Sequence, residues 1–330
     1  MIIILTGIFT AFLEFRWAVL LFFVLFDFLL LLLLPKLKIS FGKPQSQTFL
    51  LMILRAIFIW LPFPINLILQ ITGSSLVIYG FFIEPSTVKL TKIKLSDDLK
   101  PHIKLIHISD IHLERRGVRE EIILKTIQQN NPDLILFTGD FLNLSFIQNQ
   151  EAINQVFELF NQMAALAPVF YVTGSPAVDV IDTIEKIETK TNAVRLNNSN
   201  YIFKKDNFAI NLIGITCTQK PHQDINFLNS LIDSQRKNIL LYHTPDLIYE
   251  INNGDKIALM LSGHTHGGQI RIPWFGPLFT GSLYGRKLQS GMYQLSETIL
   301  YISRGIGLEG LGAPRVRFLC PPEIIEWTIN

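Results

Sequence analysis

The sequence predicts an α/β domain with strands buried on both faces, preceded by an α-helical transmembrane region. Three observations predict it. Apolar residues crowd positions 1–84, and charge is concentrated after them. From about Lys100 onward, strand-like runs alternate with polar, helix-compatible stretches. Several of those runs end in Asp or His.

Composition agrees with a two-part chain. The 330 residues are 49% hydrophobic with a mean hydropathy of +0.34, too apolar for an ordinary soluble protein. At 17% charged residues the chain is also too polar to lie wholly in a membrane. A net charge of +2 gives little reason to expect a polyanionic partner, and no specific nucleic acid is expected. Cys217 and Cys320 lie far apart, which argues against a disulfide framework or a cysteine metal site.

In the first part, Trp17 to Leu34 carries a single charge, Asp27, and is close to the about 20 residues needed to cross a bilayer. A second apolar stretch, Thr48 to Phe63, is interrupted by Arg55, and an uncharged run follows from Ile65 to Ile83. Pro62 and Pro64 suit a tight turn between the last two. The opening apolar residues are followed by Glu14 and Arg16 with no small-residue cleavage site, so a cleaved signal peptide fits poorly. Lys36, Lys38 and Lys43 on one flank, and Lys89, Lys92 and Lys94 on the other, place both flanks in the cytoplasm by the positive-inside rule. The organisation expected is two to three spans in residues 1–84, a linker over 85–100, and a domain over 101–330. The protein would then be a multi-pass protein of the cell membrane with its domain on the cytoplasmic face. The rival reading, one crossing plus an interfacial helix, puts the domain outside. Asp27 and Arg55 are either an intramembrane pair or two residues near an interface.

In the second part, HIKLIHIS, PDLILFTG, APVFYVTG, NILLYHT and IALMLSG read as buried strands, with helices over Arg119–Asn130 and Glu151–Ala164. Tyr201–Gly214 reads as a hairpin around Lys205–Asn207, and Gly291–Leu295 with Thr298–Ser303 as another pair. The strand tips carry the chemistry. Asp110 and His112 are two apart in an extended segment and so face the same way. Asp140 follows Gly139, with Asn143 three residues on; His243 ends the next ligand-bearing strand, and Gly263-His264-Thr265-His266-Gly267-Gly268 closes the series. Parallel α/β sheets bind ligands beyond the carboxyl ends of their strands. Imidazole mixed with carboxylate suits Mn, Fe or Zn. His102 and His107 read as structural.

The pieces ISDIH, GDFLN, YHTPD and SGHTHGGQIRIP, with LYISRGIG…PRVRFLCPPEI, make residues 101 to 328 resemble the calcineurin-like metallophosphoesterases, in their membrane-associated branch. That branch includes secreted phosphoesterases and hydrolases of UDP-diacylglucosamine. The resemblance implies a four-layer sandwich of two mixed sheets flanked by helices, around two divalent ions. It implies Asp110, His112 and His266 as ligands of one ion, Asp140 as the bridge, and His243 and His264 as ligands of the other. Hydrolysis of a phosphodiester or pyrophosphate would then proceed by metal-bound hydroxide, with Asp140, Asp110 and His266 catalytic through the metal. Asn143 is a candidate for orienting a ligand.

One corner departs from the family pattern. The third strand of the family ends in Gly-Asn-His; here YVTGSPAVD supplies Gly174, Ser175 and Pro176. Ser175 and Asp179 are the candidate replacement ligands, and the second ion site is weakened if neither serves. Loss of a general acid typically costs about 10²–10⁴-fold in rate, which favours substrates with a good leaving group, such as nucleotide-linked lipids. The alternative is a degenerate metal-binding membrane module with little or no catalysis. RIPWFGPLFTGSLYGRK sets aromatic residues beside Arg271, Arg286 and Lys287; it suits an amphiphilic phosphate ester or simply packs a loop. Arg304, Arg315 and Arg317 are candidates for the substrate phosphate, or simply exposed arginines on strand ends.

Overall fold

The computed structural model describes residues 2–95, 102–252, 254–310 and 314–329, and of residues 2–13 the backbone only. Alternate positions of the strands bury against different neighbours, and this creates the layers. In Ile103–Ile108, for example, Ile103 and Leu105 join an apolar cluster with Leu241 and Leu261 of a second sheet. Ile106 and Ile108 face the other way, against Ile123, Val156 and Phe160 of the helices.

In chain order the strands are β1 (Lys89–Leu95), β2 (Ile103–Ile108), β3 (Leu134–Phe137), β4 (Val169–Tyr171), β5 (Val194–Arg195), β6 (Ser199–Lys205), β7 (Phe208–Gly214), β8 (Lys237–Leu241), β9 (Ile257–Ser262), β10 (Arg271–Ile272), β11 (Gly276–Pro277), β12 (Gly291–Leu295), β13 (Thr298–Ile302) and β14 (Glu323–Ile329). One six-stranded sheet runs β1-β14-β2-β3-β4-β5 and the other β12-β13-β9-β8-β7-β6. Both are mixed: β14 is antiparallel to β2, and β6 to β7, within otherwise largely parallel sheets. The two sheets enclose the fully buried Trp327 and Leu105 between them. Each fully buried aliphatic or aromatic side chain here contributes about 1.5–3 kcal/mol of transfer free energy. Helices α4 (Val118–Asn130), α5 (Gln150–Leu166) and α6 (Ile181–Lys190) cover the first sheet. The outer layer on the second sheet is short: α7 (Pro221–Asp224) and the 3₁₀ turns Ile225–Phe227 and Pro245–Glu250. Full helices on both faces are therefore not what covers the sandwich.

The first part of the chain is helical. α1 covers Ile2–Leu31, α2 covers Pro44–Ala56 and continues as a 3₁₀ turn to Trp60, and α3 covers Phe63–Ile78. Pro62 is extended and caps α3, so the proline pair ends one helix and starts the next, as its spacing predicts. Phe63–Ser86 is, among the described residues, a helix long and apolar enough to cross a membrane. Asp27 and Arg55 form a pair: Arg55 Nε lies 2.7 Å from Asp27 Oδ2, and Nη2 lies 3.0 Å from Oδ1. Gln70 and Ser74 accept the remaining guanidinium hydrogens, and both charges are buried.

The helices dock on the sandwich. Arg119 donates to Ile39 O at 2.7 Å, and Glu114 accepts from the Phe41 amide. At the far end of α3, Glu84 accepts from the Leu319 and Cys320 amides, and Arg317 N donates to Gly80 O at 3.0 Å. Val316 packs among Leu31, Leu34, Ile39, Val77 and Phe81.

One sequence boundary is corrected. Residues 85–100 are not a linker throughout, because Lys89–Leu95 pairs with β14 as the edge strand of the first sheet. Lys92 of that strand pairs with Glu326 at 3.2 Å. Of that segment, residues 96–100 lie outside the described residues.

Asp27→Ala strands a buried guanidinium and should destabilise the full chain by about 3–5 kcal/mol. Replacing both residues by Leu should restore much of that loss, as thermal unfolding would show; equal loss in both variants would contradict the pairing.

Candidate metal centre

The strand ends aim their side chains by leaving the ordinary backbone regions. Asp110, His112, Asp140, His264 and His266 all have positive φ, between 40° and 70°. Such non-glycine residues cost about 1–3 kcal/mol each and persist where surrounding structure fixes them. The surroundings do fix them. Asp110 accepts from the His264 amide at 2.9 Å, and His112 N donates to Asp140 O at 3.1 Å. A Cβ on Gly263 would sit 1.9 Å from Ser109 Oγ and 2.2 Å from Asp110 Oδ2, so only glycine permits this approach.

Two triads result. Asp110, His112 and His266 each bring one ligand atom within 4.8 Å of the others, and so do Asp140, His243 and His264. Asp140 Oδ2 lies between the triads, 3.4 Å from His112 Nε2 and 3.3 Å from His243 Nε2. Within them, His112 Nε2 faces His266 Nε2 at 2.9 Å, and His264 Nδ1 faces His243 Nε2 at 3.2 Å. The far ring nitrogens are tethered: His243 Nδ1 lies 2.7 Å from Thr138 O, and His264 Nε2 3.1 Å from Gly281 O. All six residues singled out in the sequence therefore converge.

The altered third corner separates its two candidates. Ser175 Oγ lies 3.2 Å from His243 Nε2, 3.4 Å from His264 Nδ1 and 3.4 Å from Asp140 Oδ2. It thus faces the second triad directly. Its amide donates to Asp140 Oδ1 at 2.6 Å, which leaves Oδ2 for the triads. Gly174 must be glycine, because a Cβ there would lie 2.1 Å from Asp140 Oδ1. Asp179 does not turn inward as a ligand. Its carboxylate accepts from the amides of Asp140, Phe141 and Gly174, and so clamps the ends of β3 and β4 together.

Other expectations divide similarly. Arg304 is paired with Glu323 at 3.0 Å, and Arg315 with Glu114 at 3.0 Å, so neither is a free phosphate ligand. Asn143 caps a 3₁₀ turn through Ser145 N, donates to Leu308 O at 2.9 Å, and lies 3.5 Å from Glu309 Oε2, the oxygen that meets His112. That segment carries a residue the sequence reading missed. Glu309 Oε2 lies 2.9 Å from His112 Nδ1 and fixes the ring. Its signal in sequence is only an acid after a glycine-rich turn, with nothing to link it to a residue so distant. Arg317, the third arginine read as a phosphate candidate, is instead fully buried; it donates to Gly307 O at 2.7 Å and lies 3.3 Å from His266 Nδ1. His107 lies between the sheets 2.9 Å from Thr138 Oγ1, and burial drops it to about 3, so it is a neutral structural residue.

The electrostatics fit a cation in each triad. Burial, then the neighbouring Asp140, raise Asp110 above the usual carboxylate range, after allowance for the attraction of His243. Burial opposes charge on His112, but the Glu309 hydrogen bond and the carboxylates of Asp140 and Asp110 lift it to about 9. His243 is lifted well above its ordinary value in the same way, against burial, by Asp140. His266 is driven well below by burial and then by His112 and Arg317, and His264 is lowered by burial and then by His243. In each pair one imidazole is thus held above its ordinary value and its partner below. Two imidazoles with a carboxylate, in each triad, suit a first-row divalent cation.

Asp179→Ala would leave three amides at the β3 and β4 ends without their acceptor. We expect a loss of about 1–3 kcal/mol in chemical denaturation; unchanged stability would place the Asp179 carboxylate elsewhere.

The profile of the family "Calcineurin-like phosphoesterase" matches residues 103–268. The chain is 29% identical over 261 residues to the uncharacterized metallophosphoesterase YkuE of Bacillus subtilis (strain 168), covering 76% of this chain and 89% of that protein. It is 27% identical over 263 residues to the phosphodiesterase YaeI of Escherichia coli (strain K12), covering 74% and 90%. It is 25% identical over 308 residues to the UDP-2,3-diacylglucosamine pyrophosphatase LpxG of Chlamydia muridarum (strain MoPn / Nigg), covering 75% and 91%. With the α/β sandwich and the paired triads already in place, the family match makes the chain a member of the calcineurin-like phosphoesterase family, a metallophosphoesterase.

Proposed function

We propose that the chain is a membrane-anchored hydrolase of a phosphodiester or pyrophosphate bond, acting on a nucleotide-linked or lipid-linked substrate through two divalent ions, Mn, Fe or Zn. The observation that carries it is the position of Asp140 Oδ2, within 3.4 Å of a histidine of each triad. Asp110, His112 and His266 would hold one ion, His243 and His264 the other, and Asp140 would bridge them. Two bound cations supply Lewis-acid activation of water and neutralise charge on the phosphoryl group. The chain supplies orientation. Glu309 fixes His112, Thr138 O fixes His243, Gly281 O fixes His264, and Ser175 Oγ completes the second triad in place of an amide.

Proton supply limits the substrate. Of the seven histidines, His112, His243, His264 and His266 make up the triads. His107 is neutral between the sheets, while His102 and His222 are exposed. Pro176 stands where the family has a histidine and can transfer no proton. A leaving group that departs without protonation is therefore favoured, and a phosphate leaving from a diphosphate meets that need. The pyrophosphatase activity in the name of LpxG is consistent with this class.

Support for the anchor comes from the large apolar side chains exposed along the helices, such as Leu21, Phe22, Leu25, Ile57, Ile68 and Ile71. Lys38 lies in the loop after α1, and that loop contacts the sandwich through Ile39 and Phe41; the end of α3 contacts it through Gly80 and Glu84. Both ends of the α2–α3 hairpin then belong on one side, and the lysines at 36, 38 and 43 favour the cytoplasmic side. Protease access to the sandwich in sealed vesicles of known orientation tests this; cleavage from the outer face would reverse it.

Chelation, Asp140→Asn or His266→Ala should abolish hydrolysis of bis-p-nitrophenyl phosphate, while activity persisting after chelation would overturn the metal-centred reading. Glu309→Gln should weaken metal binding about 10–100-fold by calorimetry. Hydrolysis rates across a series of diesters should fall steeply with leaving-group basicity. Pro176→His should flatten that slope; a flat slope in the wild-type protein would show that a proton donor is present after all.

A further inference from the structure

The loop between β10 and β12 is built inside out for water. Its large apolar side chains point outward: Trp274 is 105% exposed, Phe279 77% and Leu283 72%, with Phe275 and Leu278 also exposed. Its small polar side chains point inward, and Thr280 and Ser282 are buried. Nor is the loop loosely attached. Ser282 Oγ donates to the buried Asp246 at 2.5 Å, the Leu283 amide donates to the same carboxylate, and Thr280 Oγ1 donates to Gly285 O. A pinned backbone with its aromatic side chains held outward presents an apolar surface, and such exposed patches mark contact sites.

Its position and charge say what it contacts. β10 is joined to Phe318 through Arg271 N at 2.9 Å, and the Phe318 ring packs edge-on against Tyr79, 5.6 Å away, at the end of the apolar helix Phe63–Ser86. The loop thus springs from the same end of the helical region that meets the sandwich. Arg286, stacked on Phe275 with 3.9 Å to the ring centroid, and Lys287 give it an exposed basic flank. Aromatic residues beside basic ones are the composition of a segment that enters an anionic bilayer surface. The loop also reaches the site, because Gly281 O holds His264.

We infer that Trp274, Phe275, Leu278, Phe279 and Leu283 form a second membrane contact, inserted at the lipid surface beside the helices, so that the metal centre opens toward the headgroup layer. This rests on the anchored-hydrolase reading and adds the route by which an amphiphilic substrate arrives: along the bilayer surface. It also accounts for an aromatic loop that contributes little to the core.

The test uses the full chain in nanodiscs containing phosphatidylglycerol, one protein per disc. Phe279→Cys, Leu25→Cys and Tyr201→Cys are each labelled with an environment-sensitive fluorophore; Cys217 and Cys320 are buried. The label at 279 should shift to the blue and be quenched by shallow doxyl lipid several-fold more than the label at 201. Arg286→Glu with Lys287→Glu should reduce that quenching. A label at 279 as open to aqueous iodide as that at 201, with Leu25 shielded, overturns the loop contact and leaves the anchor standing. A shielded 279 with an open Leu25 keeps the loop and removes the helical anchor. Shielding of 279 only when two proteins share a disc means a second copy covers the patch, which overturns the lipid assignment. None of these readouts requires turnover, so failure of the phosphoesterase reading would be seen separately.

Discussion

Everything at the centre of this protein depends on holding one buried carboxylate, Asp140, between two pairs of histidines. Left alone, such a group would avoid its own backbone conformation, its burial and its acidic neighbours. Each difficulty is met by a specific contact. Asp179 takes up the Asp140, Phe141 and Gly174 amides, which closes the left-handed turn. The Ser175 amide holds one carboxylate oxygen, and the histidines surround the other. The two sheets bring these strand-end turns together at one edge. Burial has the same consequence for charge: carboxylates that cannot reach water draw positive charge toward them, and the geometry directs that charge to the two triads.

The helical region is coupled to the site through a short segment. Residues 315–320 meet the helices at Val316, Arg317 N, Phe318 and Cys320 N. The same segment reaches the first triad, where the Arg317 guanidinium lies beside His266 and Cys320 Sγ lies 3.2 Å from His266 O. Glu114, two residues from His112, accepts from Phe41 in the loop after α1. Helices and ligands are thus tied by side chains that serve both, and the helical region is not a detachable tether.

Much of this was legible from the sequence because the decisive residues sit at strand ends, and the hairpin Ser199–Gly214 declares itself by its turn. The two-residue spacing did not fix direction: Asp110, His112, His264 and His266 are left-handed rather than extended, and His264 and His266 go to different triads. Two kinds of feature were not legible. β14 lies inside its sheet, between β1 and β2, yet it comes at the far end of the chain, so only tertiary structure reveals it. Asp179 illustrates the other kind: a carboxylate near a metal site can serve the ion or serve the backbone, and three amides decide the matter in favour of the backbone. Glu309 shows the converse, an acid with no motif that the fold carries to His112. Asp27 and Arg55 were readable as charges in apolar runs, but their pairing depends on how α1 packs against α2 and α3.

The central claim is that the second triad is a working ion site completed by Ser175 in place of the family's amide. Metal content by mass spectrometry, on full chain purified with manganese, tests it most directly. We expect about two ions per chain in the wild-type protein and about one in Ser175→Ala, with the ion lost from the second triad. About one ion per chain in the wild-type protein, or two that persist in Ser175→Ala, would contradict it.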